Sequence, residues 1–361
     1  MLYHLLYPLK NIFSPLNVFQ YITFRAGGAI LTSLIVCFII GPWIIRKLRL
    51  MRISQQVRSD GPPSHMHKKD TPTMGGVLIG ISLLMSTLLW ARLDNRFIWI
   101  LVISSVVLGF IGLADDYLKL VKKNSSGLSA KLKLSGQCVL AGSIAAYLIY
   151  NPSNTQFNML VNIPYLKDTY MHLSWFYFIF IMLIIVGASN GVNLTDGQDG
   201  LAIGGIIFAT TSYFILAYLA GNVKFAEYLR IIYVPGAGEI SVFLAALLGS
   251  AVGFLWYNTY PAEIFMGDTG SLLLGGVIGI VAVLIRQEIL LAIIGGIFVI
   301  EVLSVVLQVA SFKMRGKRVF KMAPLHHHFE MAGMKEPKIT VRFWIVSLIL
   351  ALMALASLKV R

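Results

Sequence analysis

The polar residues of this chain are confined to short intervals between long apolar runs. Ten runs stand out, near 25–45, 74–91, 97–114, 134–150, 174–190, 201–219, 239–256, 271–286, 289–309 and 341–358. Several hold 17 to 21 residues with few or no charges, long enough to cross the ~30 Å hydrocarbon core of a bilayer as helices. The run 134–150 is short, and the last pair before the C-terminal run is divided only by Arg286, Gln287 and Glu288. The pattern predicts an all-α, polytopic integral membrane protein: a single transmembrane domain over 1–361 with ten helices and both termini on one side.

Composition agrees. Of 361 residues, 57% are hydrophobic and 13% charged, with mean hydropathy +0.77; a soluble chain carries about a quarter charged residues. Cys37 and Cys138 both fall inside apolar runs and read as small buried hydrophobes, not as a disulfide or zinc framework. The first 25 residues contain Pro8 and Pro15 and lack a basic segment followed by a clean apolar core, so no cleavable signal peptide is expected. The net charge of +14 could suggest nucleic acid, but positive-inside asymmetry explains it more simply, and no nucleic-acid partner is expected.

That asymmetry orients the chain. Arg46, Lys47, Arg49, Arg52, Arg58, Lys68 and Lys69 follow the first run, and Lys119, Lys122, Lys123, Lys131 and Lys133 the third. Lys313, Arg315, Lys317, Arg318, Lys321, Lys335 and Lys338 follow the ninth, while the opposite side carries far fewer. The segments 46–73, 115–133, 191–200, 257–270 and 310–340 are therefore expected in the cytoplasm and both termini in the periplasm, the membrane being the bacterial inner one.

Basic cytoplasmic loops are ordinary, but here most of the acids share that side. Asp115 and Asp116 end the third run (FIGLADDYLK), Asp196 and Asp199 follow the fifth (NLTDGQDG), and Asp268 precedes the eighth (FMGDTGS). A carboxylate at mid-bilayer costs on the order of 2.5–3.5 kcal/mol, less toward the interface, which explains positions at span ends but not clustering. Two carboxylates ~4 Å apart repel by roughly 4 kcal/mol at an effective dielectric of 20. If these loops converge, a cation must sit among them: Lys and His side chains, or a divalent metal. Oxygen ligands without cysteine favour Mg²⁺ or Mn²⁺, which takes one or two carboxylates and leaves its other positions to water and phosphate.

Each group also has a plainer reading: a solvated helix end for Asp115–Asp116, a turn for NLTDGQDG, a helix cap for GDTG. Their occurrence together on one membrane face is what the plainer readings leave unexplained. Two basic segments join them: GPPSHMHKKDTPTMGG with His65, His67, Lys68 and Lys69, and KMAPLHHHFE with His326, His327 and His328. Three consecutive histidines rarely all reach one tetrahedral ion, so phosphate contact or proton transfer by one of them is favoured over zinc. Glu301, Ser304 and Gln308 fall on one stripe of the ninth run and read as an interhelical hydrogen-bond stripe.

TPTMGG (71–76), DDYLKL (115–120), NLTDGQDGLA (193–202), NTYPAEIFMGDTGS (258–271) and APLHHHFE (323–330) together resemble the polyprenyl-phosphate phospho-N-acetylhexosamine transferases over nearly the whole chain. The resemblance implies Mg²⁺-dependent transfer of a phospho-sugar from a UDP-linked donor to a polyprenyl phosphate. The histidine triplet after APL sets the chain apart from members using simpler UDP-HexNAc donors. It implies UDP-MurNAc-pentapeptide as donor and undecaprenyl phosphate as acceptor, with lipid I and UMP as products. By motif position Asp268 would ligate Mg²⁺, with Asp115 and Asp196 as further candidate ligands. Asp115 and Asp116 would activate the acceptor, and Asn193, Asp196 and Asp199 would hold the nucleotide side or support the metal. His326 would contact phosphate, Lys68 and Lys131 would neutralise diphosphate charge, and Asn258 and Phe265 would line the nucleotide pocket, Phe265 against uracil. Thr73, Lys119, His327 and His328 complete the candidate substrate contacts, and the family is usually a homodimer.

Two positions depart from the family pattern. Asp70 stands where Gly commonly precedes TPTMGG, and Gln198 stands where the motif usually reads DGLDG, between two acids whose packing it is expected to alter. The competing readings are another UDP-HexNAc donor, a non-catalytic membrane scaffold, and a transporter carrying ions on Asp196, Asp199 and Glu301. A transporter predicts ionisable residues near mid-membrane and access from both faces, whereas here they gather at one face.

Overall fold

A computed structural model describes residues 1–51, 71–121, 127–166 and 169–360. A short helix α1 (Leu2–Leu6) and two 3-10 turns lead into α2 (Ile22–Leu50), α3 (Gly76–Trp90), α4 (Arg96–Val121) and α5 (Ala130–Tyr150). The hairpin β1 (Leu160–Asn162) and β2 (Tyr170–His172) follows, antiparallel with Val161 opposite Met171. Next come α6 (Phe176–Thr195), α7 (Leu201–Ala220), the short α8 (Val223–Leu229), α9 (Gly238–Asn258) and α10 (Gly267–Leu284). The chain closes with α11 (Leu290–Ile294), α12 (Gly296–Arg315), α13 (Leu325–Met331) and α14 (Glu336–Val360). Among the described residues, nine helices are long and apolar enough to cross a membrane, and α3 is a shorter apolar tenth.

Burial ranks these helices. α10 is innermost, with every residue from Thr269 to Leu284 buried, and α4, α6, α7 and α3 pack around it. α9 lies against α2 and α7. The outer helices instead show apolar side chains: Ile35, Ile39 and Trp43 on α2, Leu303, Val306 and Leu307 on α12, Ile349 and Leu352 on α14. Apolar surface of this extent suits acyl chains, not water.

Several helices run longer than the hydropathy suggests, and at the site this matters. α4 continues beyond Asp115 and Asp116, so both acids sit within a helix instead of at its end. α10 begins at Gly267, which places Asp268 in its first turn. Arg286, Gln287 and Glu288 do break the chain as expected, and a second break at Gly295 separates α11 from α12.

At the end of the bundle remote from the acids, Arg25 and Glu239 form a buried bidentate ion pair with both contacts at 2.6 Å. It joins α2 to α9 and satisfies two charges neither helix could bury alone. Both chain ends lie at this remote end: the Met1 amino group donates to the Leu88 carbonyl at 2.7 Å, and Lys359 reaches the Tyr228 hydroxyl at 2.6 Å.

Candidate active site

The first turn of an α-helix leaves N–H groups with no partner inside the helix. In α10 these are met by carboxylates from two other helices. Asp116 accepts the N–H of Asp268 at 3.2 Å, the N–H of Thr269 at 3.0 Å and the Thr269 hydroxyl at 2.7 Å. Asp196, just past the end of α6, accepts the N–H of Gly267. Anions at a helix N-terminus are also favoured by the helix dipole. The termini of α4, α6 and α10 are thereby locked at one level.

The Asp268 side chain turns away from this cap. Its Oδ1 accepts from the Asn193 amide at 2.7 Å, and its Oδ2 lies 2.5 Å from Lys133 Nζ and 3.0 Å from Lys119 Nζ. Neighbours on a helix point about 100° apart, and Asp115 accordingly faces elsewhere than Asp116. Its Oδ1 accepts the Leu128 N–H at 2.8 Å, and its Oδ2 lies 2.6 Å from Lys119 and 3.6 Å from Lys133. Asp115, Asp116 and Asp268 each bring a carboxylate oxygen within 4.8 Å of the others. Gly112, one turn before Asp116, makes this proximity possible, since a Cβ there would overlap the Asp268 carbonyl.

Two ammonium groups face three carboxylates, so the cluster can still take up positive charge. Carboxylate and amide oxygens without sulfur suit a hard divalent cation, and the residues present fit Mg²⁺ chemistry. Among the described residues, the set that converges contains Asp116 where the expected ligand set had Asp196; the Asp196 carboxyl accepts the Gly267 N–H nearby. Asp196 is half-buried as a residue, but its carboxyl is enclosed, and that burial pushes its pKa up to about 8. The charges of Asp268, Asp116 and Asp199 push the same way, and the Gly267 N–H opposes them.

The remaining expected residues divide. Thr73 joins the centre: its hydroxyl and the Asp116 carboxylate both lie against Gly267, where a Cβ would meet them. Asp199 and Asn258 are braces. Asp199 Oδ2 accepts the Ala262 N–H at 3.0 Å; Asn258 accepts the Gly200 N–H at 3.1 Å and donates to the Ile264 carbonyl at 2.8 Å. They tie the turn after α6 to the segment before α10. Phe265 is fixed in that segment by backbone bonds to Pro72 and Gly75, each 2.8 Å, and stays half-buried. Gln198 is buried and donates to Glu330 of α13 at 3.3 Å, so this departure from the family pattern is absorbed into a contact between the two loops. Lys68 and Asp70 lie outside the described residues.

The histidine rings have different partners, although those of His326 and His327 lie together with centroids 4.2 Å apart. His326 is fully buried against Gly197, His327 Nδ1 lies 3.3 Å from Glu330, and His328 Nδ1 accepts the Lys321 N–H at 3.1 Å. Only His326 meets the turn that carries Asp196. Lys131 is exposed, whereas Lys133 reaches the acids. The helical face of α5 carries the signal for this: Gln137 and Ala141, one and two turns beyond Lys133, are buried. Glu301 was the other residue the pattern misjudged, since its partners lie in α13 and not on a neighbouring membrane helix.

Three carboxylates and two lysines meeting at one end of an apolar bundle suit a membrane-embedded enzyme of phosphorylated substrates. The family described as "Glycosyl transferase family 4" matches residues 98–286, and "Phospho-N-acetylmuramoyl-pentapeptide-transferase signature 1" matches residues 68–79. The chain is 59% identical to the phospho-N-acetylmuramoyl-pentapeptide-transferase of Endomicrobium trichonymphae over the full length of both. It is 53% identical to that of Citrifermentans bemidjiense and 52% to that of Geobacter sp. strain M21, again over the whole of each chain. The chain belongs to the phospho-N-acetylmuramoyl-pentapeptide-transferase family.

Proposed function

We propose that this protein transfers phospho-MurNAc-pentapeptide from UDP-MurNAc-pentapeptide to undecaprenyl phosphate, giving lipid I and UMP. The observation that carries the mechanism is the meeting of Asp115, Asp116 and Asp268 within 4.8 Å at one end of the bundle, with Lys119 and Lys133 among them. An oxygen of the lipid phosphate forms a bond to the phosphorus bearing the sugar. The bond from that phosphorus to the bridging oxygen breaks, and its electron pair leaves on UMP. Such transfers need positioning and charge neutralisation more than covalent help.

Lys119 and Lys133 supply charged N–H donors for the diphosphate. Asp115, Asp116 and Asp268 would hold Mg²⁺, which when bound supplies further neutralisation of phosphate charge. Asp116 commits both oxygens to the start of α10, and Asp268 is braced by Asn193. Asp115 has its Oδ2 among the Lys119 and Lys133 ammonium groups and close to the Asp268 carboxylate. It is the carboxylate best placed to take a proton from the acceptor phosphate. His326 serves as a phosphate contact beside the Asp196 turn, and Lys68, Thr73, His327 and His328 are further candidate substrate contacts. Phe265, held by its backbone and half-buried, offers the nucleotide base a ring.

We infer that the acids face the cytoplasm of a bacterial inner membrane, because Arg46, Lys47, Arg49, Lys313 and Arg315 lie at the same ends of their helices. There a bilayer-anchored acceptor and a soluble donor can meet. The homodimer expected from the family belongs to this reading and is checked by the mass of the purified protein in nanodiscs. UMP release by purified protein tests the function: it is expected with UDP-MurNAc-pentapeptide plus undecaprenyl phosphate, lost in EDTA and restored by Mg²⁺. Equal turnover with UDP-GlcNAc would reassign the donor.

A further inference from the structure

Lys133, near the start of α5, reaches Asp268 of α10 and lies 3.6 Å from Asp115 of α4. Yet α5 is an outer helix that packs mainly on α6, with Leu134, Val139 and Tyr150 exposed. Lipid tails are as apolar as these side chains, so turning α5 about its axis exchanges one apolar contact for another. Apolar packing alone therefore leaves the direction of Lys133 loosely set.

Gln137 interrupts that apolar face. It stands four residues beyond Lys133, about 40° round the helix and one turn deeper in the bundle, and it is buried. Both ends of its amide are used on α6. Nε2 donates to the Ser189 hydroxyl at 3.1 Å, and Oε1 accepts from the Asn190 amide at 2.8 Å. The Ser189 hydroxyl in turn donates to the Leu272 carbonyl of α10 at 3.0 Å.

Each member of this row lies one turn from a group of the site. Gln137 follows Lys133, Ser189 and Asn190 precede Asn193, and Leu272 follows Asp268. Lys133 and Asn193 are themselves the α5 and α6 partners of the Asp268 carboxylate. The three helices that meet at Asp268 are thus joined a second time, one layer down, by side-chain hydrogen bonds. Lys119 needs no such support, since it is paired with Asp115 of its own helix at 2.6 Å.

We propose that Gln137 is a positioning residue that fixes the rotation of α5 and so holds Lys133 among the acids. The inference rests on Lys133 being a phosphate contact, as stated under Proposed function. An amide bonded through both donor and acceptor accepts one rotation of its helix. A turn of about 100°, one residue, would carry it away from Ser189 and Asn190 toward lipid, where it finds no partner.

The test is a double-mutant cycle on UMP release by full-length protein in nanodiscs. Gln137→Leu, close to glutamine in volume, removes both bonds. It is expected to lower kcat about 10-fold while KM for undecaprenyl phosphate stays within about twofold. In a Lys133→Ala background the same substitution should cost at most about twofold, because the group it positions is gone. Ser189→Ala should show the same coupling with a smaller loss, and it stands in if Gln137→Leu does not fold. A purely structural role predicts equal fold-losses in both backgrounds, and that result overturns the proposal. So does wild-type kcat in Gln137→Leu when Lys133→Ala is impaired. If Lys133→Ala itself turns over normally, the phosphate-contact reading of Lys133 fails first and takes the positioning role with it.

Discussion

Asp116 caps the helix that carries Asp268. Both oxygens of the Asp116 carboxylate are used on the backbone and hydroxyl of Asp268 and Thr269, so the two acids are joined through the α10 terminus itself. One acid builds the frame in which the other works, and substitution should separate the roles. Asp116→Ala is expected to cost about 1–2 kcal/mol of stability, the usual loss of a helix cap, besides its effect on turnover. Asp268→Asn leaves that cap in place and should melt near wild type while losing Mg²⁺-dependent UMP release about 100-fold or more. Near-normal turnover by Asp268→Asn would remove it from the metal role; thermal melts in detergent check the other half.

The two lysines at the start of α5 make a sharper comparison. Residues two apart on a helix face nearly opposite directions, and Lys133 pairs with Asp268 and Asp115 while Lys131 is exposed. Lys133→Ala should lower kcat about 10- to 100-fold, as loss of a charge-assisted contact in a phosphoryl-transfer site does. Lys131→Ala should stay within about twofold. A reversed order would mean that α5 is rotated on its axis in the working enzyme.

This pair also marks how far the sequence could be read. The apolar runs gave the bundle, and the motifs gave the acids, because hydropathy and turn chemistry act locally. Which of two nearby lysines turns inward depends on helical phase, visible only by counting back from Gln137 and Ala141. Glu301 was harder: its spacing to Ser304 and Gln308 suggested a stripe, but its partners Leu325 and His326 lie beyond a loop whose path no periodicity encodes. The β1–β2 hairpin and the short helices α8 and α13 left no trace in hydropathy, since each is too brief to build a pattern. The cap on α10 was equally hidden, because it joins residues 116 and 269, which have the five helices α5 to α9 between them in the chain.

Burial of the Asp196 carboxyl predicts the sign of a pH dependence. Its carboxyl is pushed up to about 8 from the ordinary 3.8, so the folded chain keeps a proton that the unfolded chain has lost. The resulting stabilisation is complete below about 4 and is lost as pH rises through about 8. In EDTA the melting temperature should therefore fall between about pH 4 and pH 8, and Asp196→Asn should flatten that fall. Mg²⁺ should oppose it, since a nearby cation favours the ionised carboxylate. An unchanged pH slope in Asp196→Asn would show that this carboxyl is already ionised at neutral pH.

The spacing of the acids depends finally on a residue with no side chain. Gly112 faces the Asp268 carbonyl so closely that any Cβ would overlap backbone, and backbone cannot rotate aside as a flexible side chain can. Gly112→Ala must push α4 away from α10. The displacement falls one turn from Asp116 and Asp115, and it stretches the bonds from Asp116 to Asp268 and Thr269. Misplacement of about 1 Å in a preorganised site can cost on the order of 100-fold in rate. Gly112→Ala is therefore expected to lose most of its turnover and to need more Mg²⁺ for half-maximal UMP release, though no functional group has been removed. Gly187, where a Cβ meets nothing within 4 Å, provides the control on α6, and Gly187→Ala should be near wild type in both respects. If Gly112→Ala matched it, close approach of α4 and α10 would not be what holds these carboxylates together.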